Sequence, residues 1–315
     1  MIKIDSHQHF WKFDPVRDSW IGKEMGLIQR DFMPDDLKPI LDKNGINGCI
    51  AVQADQSEAE TDFLCALADQ HDFIKGVVGW TNLMASDVGK RIDHFGKYKK
   101  LKGFRHVLQG ENDRALMLNP QFMNGVRMLK RYDFTYDILI FPDQLGYTFQ
   151  FVKTFDGHKL VIDHLAKPDI KNHNIEKWEK GIRTIAKFEN VYCKISGMIT
   201  EADWYGWVLA DFNPYLDVIF DAFGSKRVMF GSDWPVCNVA GGYHQVLSVV
   251  KNYTSKLSET EQADFWGLNA AGFYVLNDLK AERPKRDVYS SPSDLQSFRT
   301  AKPSTRLLKN NQPPN

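Results

Sequence analysis

A chain of 315 residues with 43% hydrophobic and 25% charged residues has the make-up of a folded protein with a large core, which excludes a disordered or fibrous one. Forty Lys and Arg balance forty Asp and Glu, so no net charge draws the chain to nucleic acid or to an anionic membrane, and a small-molecule partner is expected. No apolar run approaches the roughly 20 residues that span a bilayer, and Asp5, His7 and His9 stand where a secretory apolar segment would lie, so a cytoplasmic protein is expected. Cys49, Cys65, Cys193 and Cys237 form no Cys-x-x-Cys pair and read as free thiols.

In chain order, short β-branched or apolar runs recur at 2–6, 48–53, 76–81, 103–108, 134–140, 160–164, 191–196 and 228–233, which predicts eight strands. Helix-like segments lie between them. One carries Phe63, Leu64, Leu67 and Ala68 behind a Ser57/Glu60 capping box, and another carries Phe122, Val126 and Leu129 on a single face. Strand and helix alternating over about 280 residues fit a closed (β/α)8 TIM barrel, and no GxGxxG follows the first strand to argue for a doubly wound sheet. Helix-to-strand connections are short at 44–47, 155–158 and 224–227, whereas strand-to-helix connections run long over 10–33, 109–118 and 197–213. In such a barrel these longer loops build the active site at the strand C-terminal ends. The expected organisation is a barrel over 1–280 followed by a polar, Pro-rich basic tail over 281–315, without internal repeats.

Three strand ends carry candidate chemistry. His7-Gln8-His9 closes the first run, where period-two alternation sends both imidazoles to one side, able to ligate a divalent metal or to donate to an oxyanion. The apolar run at 160–164 ends in His164, and the run at 228–233 ends in Asp233, an acid whose burial calls for a cation, a metal or a proton. A barrel brings these four residues to one mouth.

In order along the chain, HQHFW, KGFRHVLQ, VIDHLAKP, CKISG and MFGSDWPV resemble the amidohydrolase superfamily, and more narrowly its L-fuconolactonase and L-rhamnonolactonase-like branch, over about residues 2–276. The resemblance implies a metal-dependent-hydrolase-like barrel that opens a sugar-acid lactone, with active-site roles on His7, His9, His164 and Asp233. Metal-dependent relatives usually add a strand-five His, and the segment 136–142 offers none. One zinc or manganese ion on His7, His9, His164 and Asp233 is therefore an expectation left open, with no organic cofactor. Lactone opening needs a base for water, a stabilised oxyanion and a proton for the leaving oxygen, and Asp233 is the base expected. No GxSxG elbow is present, so no covalent intermediate is expected.

For substrate binding, Arg105 and His106 alternate, so at most one faces the lumen while the strand lasts, and the resemblance favours Arg105. Trp11, Trp80 and Trp234 follow or end strands, where a sugar ring could stack, and Gln53 could offer its amide to a hydroxyl. The basic run Lys97-Tyr98-Lys99-Lys100 reads as a solvated face. Two other readings share these residues: C–N hydrolysis or decarboxylation at the same site, and a non-catalytic barrel recruiting partners through its tail. A homo-oligomer is compatible with the sequence.

Overall fold

Eight parallel strands, paired in sequence order, form the centre of the computed structural model, which describes residues 1–276. They are β1 (Ile4–Gln8), β2 (Gly48–Val52), β3 (Ile74–Gly79), β4 (Leu101–His106), β5 (Thr135–Ile138), β6 (Leu160–Ile162), β7 (Val191–Ile195) and β8 (Val228–Phe230). Helices α1 (Pro34–Asn44), α2 (Glu58–Gln70), α3 (Val88–Phe95), α4 (Pro120–Arg131), α5 (Leu145–Thr154), α6 (Glu176–Ile185), α7 (Asn213–Phe223) and α8 (Tyr243–Thr254) follow them in turn, as the alternation predicts for a TIM barrel. The 281–315 tail lies outside the described residues.

The barrel closes between β1 and β8. Gln8 bridges Trp234 in parallel, His9 N–H donates to Trp234 O at 2.7 Å, and Asp233 N–H donates to His7 O at 2.8 Å. Ser6 Oγ–H donates to Phe230 O at 2.6 Å, while Ser232 N–H and Tyr243 O–H donate to the two oxygens of Asp5 at 2.9 and 3.1 Å. Gly231 permits this approach, since a Cβ there would lie 2.7 Å from His7 Cβ.

Local signals hold the helices in place. Asn119 Oδ1 caps α4 by accepting Gln121 N–H at 2.8 Å, Pro120 opens it, and Phe122, Val126 and Leu129 are buried. Ser57 Oγ caps α2 by accepting Glu60 N–H at 3.2 Å, but the expected capping box does not form. The Glu60 carboxylate instead accepts the backbone N–H groups of Ala54, at 2.7 Å, and of Asp55, which ties the β2–α2 loop down.

Two apolar cores result. The larger fills the space between strands and helices. The smaller lies inside the barrel, where Ile4, Ile50, Val52, Val78, Val161 and Met229 pack against Ala270, Phe273, Tyr274 and Leu276. The C-terminal helices α9 (Glu259–Ala263) and α10 (Asn269–Phe273) thus lead into a plug for one barrel mouth, each buried aromatic contributing about 1.5–3 kcal/mol, and leave the other mouth for chemistry.

Candidate active site

Several strands end earlier than the apolar runs suggest. The first strand continues to Gln8, beyond the expected Ser6, and its pairing with β2 shifts register between Asp5 and Gln8. His7 and His9 both end up buried beneath the open mouth. On the sixth strand extended backbone stops at Ile162, and His164, Leu165, Ala166 and Lys167 all adopt left-handed conformations, with φ from 49° to 58°. This turn replaces alternation, so that the consecutive residues Asp163 and His164 both serve the site. Gly197, φ +62°, makes room for the imidazole: a Cβ there would lie 2.6 Å from His164 Nδ1. Asp233 lies three residues beyond β8 in another left-handed position, φ +57°.

Below the mouth lies a buried charge network. Lys194 Nζ, on β7, is 2.5 Å from Asp137 Oδ2 on β5, 3.0 Å from Asp163 Oδ1 and 3.3 Å from His7 Nδ1. Arg105, on β4, donates from Nη1 to Asp163 Oδ2 at 3.1 Å and approaches His7 Nε2 at 3.2 Å, and its Nη2 donates to Gln53 O. Two cations thus balance two carboxylates, and Tyr274 O–H adds a donor to Asp137 Oδ2 at 2.8 Å. Burial alone would raise Asp163, but Lys194, His7 and Arg105 outweigh it and hold the carboxyl well below its usual range. Burial pushes Asp137 up to about 6 in spite of Lys194. His7, flanked at its two ring nitrogens by Lys194 and Arg105, is kept neutral by burial first and by Lys194 next, against the pull of Asp163.

Above this balanced floor stands Asp233. His9 Nδ1 faces Val52 O at 2.7 Å, and since a carbonyl only accepts, that nitrogen carries a proton; Nε2 faces Asp233 Oδ1 at 3.3 Å. His164 Nδ1 meets Ser196 Oγ at 2.8 Å, which leaves Nε2 3.9 Å from the same carboxylate oxygen. Burial pushes His164 well below the usual imidazole range. For Asp233 burial would raise the carboxyl, yet His164, His9 and the more distant Lys167 outweigh it and keep the group ionised.

One donor atom from each of His7, His164 and Asp233 falls within 4.8 Å of the others. Two imidazoles and a carboxylate suit a divalent cation, and the charge of Asp233 is not balanced by the floor beneath, so the residues fit a metal. His9, expected as a fourth ligand, falls outside this set, although its Nε2 lies 3.3 Å from Asp233 Oδ1. His7 Nε2 is shared with Arg105.

A cavity of about 380 Å³ opens over these groups, lined by His9, Arg105, His164 and Asp233 together with Trp20, Ala54, Asp55, Gln56, Val107, Gln109, Gly110, Leu139, Lys167 and Val236. Of the expected substrate-binding residues, only Arg105 lines it. Gln53 is buried beside Arg105, its amide Nε2 donating to Arg105 O at 3.3 Å. His106 points the other way, accepting Trp80 Nε1–H at 3.2 Å, facing Glu111 at 2.8 Å and packing on Phe122, so both His106 and Trp80 belong to the packing around the barrel. Trp11 donates to Arg30 O at 2.9 Å and packs on Phe32, and Trp234 is buried between Phe10 and Phe32. The missed residues are Asp137, Asp163, Lys194, Lys167 and Trp20. A charge interrupting an apolar strand was the available sign for Asp137 and Lys194; Trp20 and Lys167 lie on loops whose course no periodicity reveals.

A model of the amidohydrolase family matches residues 4–276. An L-fucono-1,5-lactonase of Burkholderia multivorans is 40% identical over 286 residues, 87% of this chain and 96% of that one, and an L-fucono-1,5-lactonase of Burkholderia ambifaria is 31% identical over 92% of this chain and 99% of that one. A crystal structure of an amidohydrolase from Burkholderia multivorans with bound zinc is 41% identical and superimposes with a TM-score of 0.84, covering 87% of this chain and 99% of its own. By sequence, barrel and strand-end residues alike, the chain belongs to the amidohydrolase family.

Proposed function

We propose that this barrel hydrolyses the lactone of a sugar acid, an L-fucono-, L-rhamnono- or related aldonolactone, to the open-chain acid. The observation that carries the reading is a buried Asp233 whose Oδ1 lies 3.3 Å from His9 Nε2 and 3.9 Å from Nε2 of both His7 and His164, in a cavity also lined by Arg105 and Lys167 and in a chain 40% identical to an L-fucono-1,5-lactonase. Those relatives disfavour C–N hydrolysis, decarboxylation or a non-catalytic barrel.

Asp233 takes a proton from water as its oxygen attacks the lactone carbonyl carbon. Charge then develops on the former carbonyl oxygen, and Arg105, buried and fixed by Asp163 and Gln53, supplies positive potential without reorganising. On collapse the ring C–O bond breaks, and Asp233 returns its proton to the leaving alkoxide. His7, neutral between two fixed cations, cannot compete for that proton. Asp55, Gln56, Gln109 and Lys167 offer donors and acceptors to the sugar hydroxyls. His7, His164 and Asp233, with His9 beside them, would hold one zinc or manganese ion, which when bound supplies Lewis-acid polarisation and acidifies water. Nucleophilic cysteine is not called on, because all four thiols are buried and burial pushes Cys237, the nearest in sequence to Asp233, far above its usual range.

The test is proton release from L-fucono-1,5-lactone and a panel of related lactones, before and after chelation, with bound metal quantified. Turnover of at least one lactone is expected, and its loss on chelation with recovery on zinc or manganese would establish an essential ion. Absence of turnover on every lactone by metal-loaded protein would sink the reading.

A further inference from the structure

The connection after β1 holds one aromatic side chain at the cavity. Trp11 and Phe32 exchange backbone hydrogen bonds at 3.0 and 2.9 Å, which clamps the ends of the connection together. Beside Trp20, Ile21 N–H donates to Asp18 O at 2.9 Å, and Gln29 Nε2 donates to the carbonyls of Ile21 and Gly22 at 3.0 and 3.2 Å. Trp20 itself meets the buried Trp11 in an edge-type pair, with ring centroids 5.9 Å apart and planes at 86°. It is nevertheless 45% exposed, against 3% for Trp11 and 2% for Trp234, and it lines the cavity with His9, Arg105 and Asp233. A large apolar ring held in place by its loop, propped by a second indole and left open beside a polar catalytic floor is placed to receive something apolar.

We infer that Trp20 is the platform on which the C–H face of the lactone ring stacks, so that the chain recognises the closed ring in preference to the open-chain product. This rests on the lactonase reading and deepens it. A closed sugar ring presents several C–H bonds on one face, whereas the opened acid is a flexible chain that loses that face. The stacked C–H bonds sit on ring carbons other than the carbonyl carbon, and the ring is still closed as water adds, so the interaction is equally strong in ground and transition states and acts on binding rather than on the chemical step. The carboxylate and hydroxyls of the product retain their polar partners but lose the platform, which favours release.

Two measurements test this. In lactone turnover, Trp20→Ala raises KM about tenfold, the weight of roughly one lost aromatic face, with kcat changed far less, and Trp20→Phe recovers most of the affinity. An unmoved KM, or kcat and kcat/KM falling together, overturns the platform and returns Trp20 to loop packing. The second probe is a 1,5-anhydroalditol, which has the ring and no ester. It perturbs tryptophan emission in the unaltered protein and not in Trp20→Ala, while the open-chain aldonate leaves both unchanged. No emission change in the unaltered protein, or the same change in both proteins, overturns the inference. A response to the anhydroalditol without turnover of any lactone sinks the lactonase reading and leaves the platform standing.

Discussion

At the residue scale the site separates two tasks. In the proposed mechanism Asp233 handles the proton, and the Lys194, Arg105, Asp137 and Asp163 network below it holds the geometry. Asp233→Asn keeps the volume and removes the base, so kcat is expected to fall by about 10²–10⁴ with far-UV circular dichroism unchanged; near-normal turnover contradicts the mechanism. Lys194→Met acts on the network instead. It strips Asp137 of its cation and leaves Asp163 to Arg105 and the His7 imidazole, a loss of about 3–5 kcal/mol in chemical denaturation. Adding Asp137→Asn to Lys194→Met is expected to restore part of that stability, since the orphaned charge goes with it, and strictly additive losses would show that the pair is not coupled. His7, His9, His164 and Asp233 were all legible as strand-end polar residues in the sequence. Their partners were not, because Asp163 meets Arg105 across 58 positions and Lys194 meets Asp137 across 57, distances over which a sequence pattern carries no signal.

At the element scale, function depends on where strands stop. The eight runs predicted the strands, but alternation failed at β6 and β8, where left-handed backbone ends the strand and turns His164 and Asp233 into the site. Those turns depend on local geometry that an apolar run does not encode. Gly197→Ala probes one of them: its φ of +62° strains any L side chain by about 1–2 kcal/mol, and the new Cβ displaces the His164 ring. The expected outcome is a fall in kcat greater than tenfold with a modest loss in Tm, and full activity would show that His164 tolerates the displacement. The loop after β2 depends on Glu60, whose carboxyl burial pushes up to about 8 although two backbone N–H groups favour its anion. A folded pKa above the ordinary value near 4.5 means that the stability this group contributes is fully present below about 4.5 and is lost as pH rises toward 8. Glu60→Gln does not titrate, so its Tm relative to the unaltered protein is expected to improve steadily from pH 5 to pH 8 and level off beyond. A constant difference across that range would show that Glu60 titrates normally.

At the scale of the whole molecule, connector lengths were enough to assign the catalytic mouth, because a barrel has only two ends and its long loops gather at one. The plug at the other end was not foreseen: Phe273, Tyr274 and Leu276 continue an apolar helix whose target inside the lumen exists only once the barrel has formed. Among the described residues no helix is long and apolar enough to cross a membrane. The seam between β1 and β8 has a further consequence, for time rather than geometry. His7 and His9 leave the ribosome long before Asp233, which follows the last strand of the barrel, so a partly made chain holds half of its chemistry and can do nothing with it. During refolding, the return of turnover should lag behind the return of helical ellipticity and report the moment the two ends of the sheet meet.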